Sequence, residues 1–173
     1  MTTSKLAAGP SADFADLVAP HFDVLVRVAG RLAAPGSRDD VLQDALTLAW
    51  RRRAGYDPDR GSVRAWLLVI TADQARRSWR RYRVWHPLAD EQAVAGPEPA
   101  GSAAMPDPAV RADVEAAIAG LPRRQRLAVQ LRYYADLEVE DIAAVMRCSA
   151  GTVKSTLHDA RGALRTRLGE DYR

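Results

Sequence analysis

The sequence predicts an all-α protein, two small helical domains joined by a proline-rich flexible linker. Three observations predict it. Apolar residues recur at spacings of three and four in every long segment, the period of one helix face. Five of the ten prolines, Pro87, Pro97, Pro99, Pro106 and Pro108, crowd one stretch with Gly96, Gly101 and Ser102. Each proline removes a backbone donor and fixes its dihedral, so no helix runs through them. Charge also alternates: residues 1–50, 51–85, 86–120 and 121–173 carry net charges of −2, +7, −5 and +3. The whole-chain +3 therefore averages two basic lobes across an acidic segment, the layout of a chain with two polyanion-facing surfaces.

The first domain is expected over residues 13–85, behind a disordered tail at 1–12. From Asp13 to Leu32 the stripe holds Phe14, Leu17, Val18, Phe22, Leu25, Val28 and Ala29, is interrupted near Pro20, and stops at Ala34-Pro35-Gly36. Ser37 opens a second helix. Its first turn holds Asp39 and Asp40, where the backbone dipole favours anions, and Arg51, Arg52 and Arg53 stand at the favourable carboxyl end. After the loop Gly55 to Gly61, Ser62 caps a third helix with a core stripe of Val63, Trp66, Leu67 and Ile70. From Gln74 this helix changes character. Arg76, Arg77, Arg80, Arg81 and Arg83 interleave with Trp79, Tyr82 and Trp85, joining phosphate-pairing charge to flat rings on which unpaired bases stack. The competing reading has Trp79 and Tyr82 continuing the core stripe, with the arginines in water.

The linker is assigned to residues 86–108 and the second domain to 109–173. Leu121-Pro122 starts a helix whose first turn is crowded by Arg123, Arg124 and Arg126, where the dipole disfavours cations. Nothing local in the sequence offsets this, and a phosphate-facing role explains it. Val139, Ile142, Ala143 and Met146, then Val153, Leu157, Ala160, Leu164 and Leu168, make two stripes around a tight turn, with Ser149 at the N-cap. The outward positions of the second stripe, Gly151, Thr152, Lys154, Ser155 and His158, are small, polar and basic. That is the outline of a helix-turn-helix whose second helix approaches base edges. A packed hairpin with a solvated outer face is the alternative, and the charge layout favours the DNA reading.

A single cysteine excludes an internal disulfide, and one Cys with three widely spaced His offers no metal-ligand spacing. A reducing cytoplasm, no metal and no cofactor are the expectation. The apolar run Ala65 to Ala72 is too short to span a bilayer, and Asp13 and Asp16 interrupt any signal-peptide core. Asp39, Asp40 and Asp44 lie on an amphipathic helix with no partner histidine, so no enzyme is expected.

In order, the chain shows Asp39-Asp40-Val41-Leu42-Gln43-Asp44-Ala45-Leu46 with Trp50, then Val63-Arg64-Ala65-Trp66-Leu67 leading into the arginine-rich helix. A linker follows, then Leu121-Pro122-Arg123-Arg124-Gln125-Arg126, and finally Gly151-Thr152-Val153-Lys154-Ser155 with His158 and Arg161. From about Phe14 to Leu168 this series closely resembles bacterial RNA polymerase sigma factors of the extracytoplasmic-function (ECF) group. The resemblance implies a sigma region 2-like bundle and a sigma region 4-like helix-turn-helix. It implies that Asp39, Asp40, Gln43, Asp44 and Trp50 dock on the clamp helices of the largest polymerase subunit. By the same resemblance, Tyr56, Arg60, Arg76, Arg77, Trp79, Arg80, Arg81 and Tyr82 hold the downstream promoter element and its separated strand. Arg123, Arg124, Arg126, Thr152, Lys154, Ser155, His158 and Arg161 would read the upstream element, and the linker would thread the core enzyme near the RNA path. Core RNA polymerase (clamp helices and flap), promoter DNA and an anti-sigma protein are the implied partners of a chain that is a cytoplasmic monomer when free, without membrane insertion. Asp159 departs from the family, which commonly carries a basic residue there, and Glu138 and Glu140 stand where small polar residues are usual. The rival class is a stand-alone helix-turn-helix regulator that binds duplex operator DNA.

Overall fold

The computed structural model describes residues 12–86 and 108–169. The tail expected at 1–12 and the linker expected at 86–108 fall outside the described residues, apart from Ala12, His86 and Pro108 at their edges.

Four helices make the N-terminal half: α1 (Ala12–Val18), α2 (Phe22–Leu32), α3 (Arg38–Arg52) and α4 (Val63–Trp85). A 3₁₀ turn at Ala19–His21 separates α1 from α2, because Pro20 has no N–H to continue the ladder. The Ser62 hydroxyl caps α4 by accepting the Ala65 N–H at 3.1 Å. Ser37 precedes α3 without such a bond, leaving Asp39 and Asp40 beside its free amides. Val24, Leu25, Val28, Ala45, Ala49, Leu67 and Leu68 are buried between these helices. Small Ala29, Ala33, Val41 and Ala75 form a second cluster where α2, α3 and α4 converge.

The C-terminal half holds α5 (Pro108–Ala119), α6 (Arg123–Val129), a π turn at Gln130–Tyr134, α7 (Val139–Met146) and α8 (Ala150–Leu168). Pro108, read from sequence as the last linker residue, is the first residue of α5, a position where its missing N–H costs nothing. The first-turn arginines of α6 also need a correction. Arg126 Nη1 donates to the Ala119 carbonyl at 2.6 Å, so the open end of α5 supplies the local partner that the sequence did not reveal.

The two halves are docked on one another. α7 lies along α4, and the π turn lies against α2. Arg64 Nε donates to Asp141 Oδ2 at 2.6 Å, and Arg147 Nη2 donates to both oxygens of Asp73 at 2.8 and 3.0 Å. The π turn is closed by the Ala135 N–H on the Gln130 carbonyl at 3.1 Å and followed by Asp136 in the left-handed region (φ 54°). The Ala135 carbonyl then accepts from Arg27 Nε at 3.2 Å, and the Tyr134 ring lies under the Arg31 guanidinium at 4.1 Å. Burial lowers the Arg31 pKa and raises that of the Tyr134 phenol, the neighbouring Arg31 cation partly opposing the latter. One apolar core runs through both halves, from Leu25, Leu67 and Leu68 to Leu131, Ile142, Val145 and Val153.

Candidate functional site

The outer face of α3 has two characters along its length. Its amino-terminal turns expose Asp39, Asp40, Gln43 and Asp44. Asp39 pairs with Arg38 at 2.9 Å and Asp44 with Arg81 of α4 at 3.5 Å, both well exposed and hence worth little to stability. Two turns on, Trp50 is half-buried. Phe14 of α1 meets it edge-on at 5.3 Å, and the Arg53 guanidinium covers its other side at 3.7 Å. Phe14, Ala15, Leu46, Thr47 and Trp50 line an open cleft of about 430 Å³ on this face.

The loop before α4 is built by short-range bonds. Asp57 Oδ1 accepts the Asp59 N–H at 3.0 Å, the Tyr56 hydroxyl donates to the Gly61 carbonyl at 2.9 Å, and the Tyr56 ring packs on Trp66 at 5.2 Å. Gly61 closes the loop at φ 148°, where a side chain would be strained. Arg60 lies in the 3₁₀ turn Pro58–Arg60 within it. Along α4 the arginines are not equivalent. Arg76 is paired with Asp73 and Arg81 with Asp44, while Arg77 and Arg80 are exposed. The rings differ too. The Trp79 indole N–H donates to the Leu32 carbonyl at 2.9 Å, tying α4 to the end of α2. Tyr82 meets Trp79 edge-on at 5.8 Å and stacks on His86 at 4.2 Å, and Trp85 is 81% exposed. Trp79 thus has a structural bond, as the competing reading expects, while Tyr82 is half-buried and Trp85 stands in water.

In the C-terminal half, Ser149 accepts the Thr152 N–H at 3.1 Å and starts α8. Val153, Thr156, Leu157 and Ala160 turn inward, which leaves Gly151, Lys154, Ser155, His158, Asp159 and Arg161 exposed. Thr152 is bound into the helix start by the Ser149 hydroxyl at 2.9 Å, and Ser155 donates to the Thr152 carbonyl at 3.1 Å. The turn between α7 and α8 places Arg147 in the left-handed region at φ 53°, ψ 53°. Arg124 is exposed at the start of α6, and Arg126 is half-buried with Nη1 on the end of α5. Glu138 precedes α7 and accepts from Arg132 at 3.2 Å.

The geometry therefore presents an acidic helix face, an arginine-rich helix and a helix-turn-helix in one chain. Residues 17–84 match the family model Sigma-70 region 2, and residues 111–164 match Sigma-70, region 4. The RNA polymerase sigma-E factor of Streptomyces coelicolor is 33% identical over 161 residues, an alignment that covers 92% of this chain and 88% of that one. This chain is an ECF sigma factor. The ECF RNA polymerase sigma factor SigK of Mycolicibacterium vanbaalenii is 32% identical over 150 residues, covering 80% and 72% of the two chains. Among solved structures, the sigma factor RpoE from Bartonella quintana, in complex with the anti-sigma factor NepR, aligns with a TM-score of 0.67 at 25% identity, over 92% of this chain and 98% of that one. CnrH in complex with the cytosolic domain of CnrY aligns at 0.62 with 26% identity, over 91% and 88%.

Sequence reasoning missed the residues that join the two halves of this sigma factor: Arg27, Arg31, Arg64 and Asp73 on one side, Tyr134, Asp141 and Arg147 on the other. The apolar stripe of α7 gave no signal for Asp141, which lies off that stripe and is buried because α7 also packs on α4. That the partner is Arg64, 77 residues away, is not readable from spacing. No helix among the described residues is long and apolar enough to cross a membrane.

Proposed function

We propose that this sigma factor binds core RNA polymerase through the outer face of α3, with Asp39, Asp40, Gln43, Asp44 and Trp50 toward the clamp helices. The loop from Tyr56 through Arg60, with Arg76, Arg77, Trp79, Arg80, Arg81 and Tyr82 on α4, engages the downstream promoter element and its opened strand. Trp79 acts there by holding α4 in place. Arg123, Arg124, Arg126 and the α8 residues Thr152, Lys154, Ser155, His158 and Arg161 engage the upstream element, with phosphate pairing supplying most of the affinity. The chain acts in the cytoplasm, is a monomer when free, and is held inactive by an anti-sigma protein; the complex of RpoE with the anti-sigma factor NepR supports a partner of that kind.

The observation that carries this reading is the pairing of region 2 and region 4 matches in one chain, with α8 exposing Gly151, Lys154, Ser155 and His158. No covalent step belongs to this chain. The cost of opening is offset because each base leaving the duplex stack gains an aromatic or pocket contact, worth about 1–3 kcal/mol. Reconstitution with core polymerase on a genomic DNA library, mapping transcript starts, tests the proposal. Shared upstream and downstream elements are expected. Transcripts without them, or tight specific duplex binding by the chain alone, would favour the stand-alone regulator instead.

A further inference from the structure

The outer face of α8 is divided along its length. At about 100° per residue, Lys154, His158, Arg161 and Arg165 fall in one row, and all four are exposed. A second exposed row, Ser155, Asp159 and Thr166, runs beside it about 100° round the helix. Gly151 and Gly162 lie on the line between the rows. Glycine inside a helix costs stability relative to alanine, and a Cβ at Gly162 would meet no atom within 4 Å. Packing therefore does not account for the missing side chain, whereas close approach of another surface does. Asp159 is the only acid of α8, and its neighbours one turn away, Ser155, Thr156, Gly162 and Ala163, include no cation. The Ser155 hydroxyl donates to the Thr152 carbonyl at 3.1 Å, so it turns only lone pairs outward. Ser155 and Asp159, about 6 Å apart along the axis, thus form a pair of acceptors.

We propose that Asp159 sets a base preference of this sigma factor, its carboxylate accepting a hydrogen bond from the N4 amino group of a cytosine in the upstream promoter element. The proposal rests on the reading of α8 as the helix that enters the major groove, and adds a base identity and the residue that imposes it. In that groove guanine and thymine present acceptors, which repel a carboxylate. Adenine sets its N6 amino group beside the N7 acceptor, whereas cytosine presents its amino donor alone. A carboxylate held at the base edges therefore selects cytosine. The basic row, on the other side of the glycine line, faces one backbone wall of the groove, where Lys154, Arg161 and Arg165 pair with phosphates. The cations supply attraction common to all sequences. Asp159 weakens binding wherever the amino group is missing, so it acts by rejecting wrong bases as much as by holding the right one.

The test is transcription by bacterial core RNA polymerase reconstituted with the full chain. The templates carry a promoter found by start-site mapping, its upstream element randomised and each variant linked to a transcribed barcode that is sequenced. The unaltered chain should prefer cytosine at one position by about 10-fold over guanine or thymine, the discrimination expected of one base contact. Asp159→Arg should move that preference to guanine at the same position, because arginine donates to guanine O6 and N7. Asp159→Asn should move it to adenine, and both should leave the other positions as they were. Asp159 is exposed, and unchanged thermal melting by circular dichroism qualifies both variants. Lys154→Ala should lower transcription from all upstream sequences about equally. If Lys154→Ala does so while neither Asp159 variant moves a base preference, the role given to Asp159 is wrong and the α8 reading stands. If none of the three substitutions alters use of the upstream element, the α8 reading itself fails. A uniform rise in transcription with both Asp159 variants would mark the carboxylate as a solvated charge near phosphate and overturn the proposal.

Discussion

Trp79 has its indole N–H on the Leu32 carbonyl, and that single bond separates it from the other rings of α4. Replacing Trp79 with Phe leaves that carbonyl unpaired and should cost about 1–2 kcal/mol in urea denaturation. Arg77→Ala, at an exposed site, should stay within about 0.5 kcal/mol and instead weaken binding to promoter DNA. Tyr134 provides a pH test. Burial raises its phenol above the ordinary value of 10.0, so the folded state holds the proton more tightly than the unfolded chain does. Its contribution is complete below the unfolded value and is lost as pH rises through the folded one. Denaturation followed across the alkaline range should show this loss, and Tyr134→Phe should remove that part of the pH dependence. These roles are set by neighbours distant in sequence, so from residue types alone Trp79 could only be given two alternatives.

The helix-turn-helix shows how an element combines legible and illegible parts. The stripes of α7 and α8 and the Ser149 cap follow from spacing and side-chain chemistry. Ser149→Ala should cost about 1 kcal/mol by loss of the cap, measured by thermal unfolding. The left-handed Arg147 was not legible, since that conformation usually signals itself with Gly or Asn. Arg147→Gly sets two effects against each other. Relief of the left-handed backbone gains about 1 kcal/mol, and loss of an exposed ion pair costs about 0–1 kcal/mol. The variant should therefore be as stable as the parent or slightly more so, while it releases Asp73 from the turn. In the same way α5 was hidden behind the proline count although Val110, Val114, Ala117 and Ile118 keep helical spacing, and the π turn has no periodic signature at all.

Over the whole molecule, α7 occupies the side of α4 between Arg64 and Asp73, so a ligand needing that side must first displace the C-terminal half. The Arg64–Asp141 pair is the stronger of the two ionic ties, since its side chains are 33% and 12% exposed, against 66% and 33% for Arg147–Asp73. Arg64→Ala leaves the buried Asp141 without its cation. The cost should be about 2 kcal/mol, between the near-zero value of surface pairs and the 3–5 kcal/mol of fully buried ones. Small-angle X-ray scattering should then show a larger radius of gyration, whereas Arg77→Ala should leave the radius unchanged.

By itself the sequence determined most of the helical segments, the caps at Ser62 and Ser149, that two basic lobes flank an acidic proline-rich stretch, and which family the chain joins. All of these depend on periodicity, local backbone chemistry and composition, which act over a few residues. Only the tertiary structure decided that α7 packs on α4, that Trp79 holds α2 while Trp85 stays in water, and that a cleft opens beside Trp50. Those outcomes depend on side chains dozens of residues apart meeting in a dense interior, where a buried acid takes whichever cation the packing delivers.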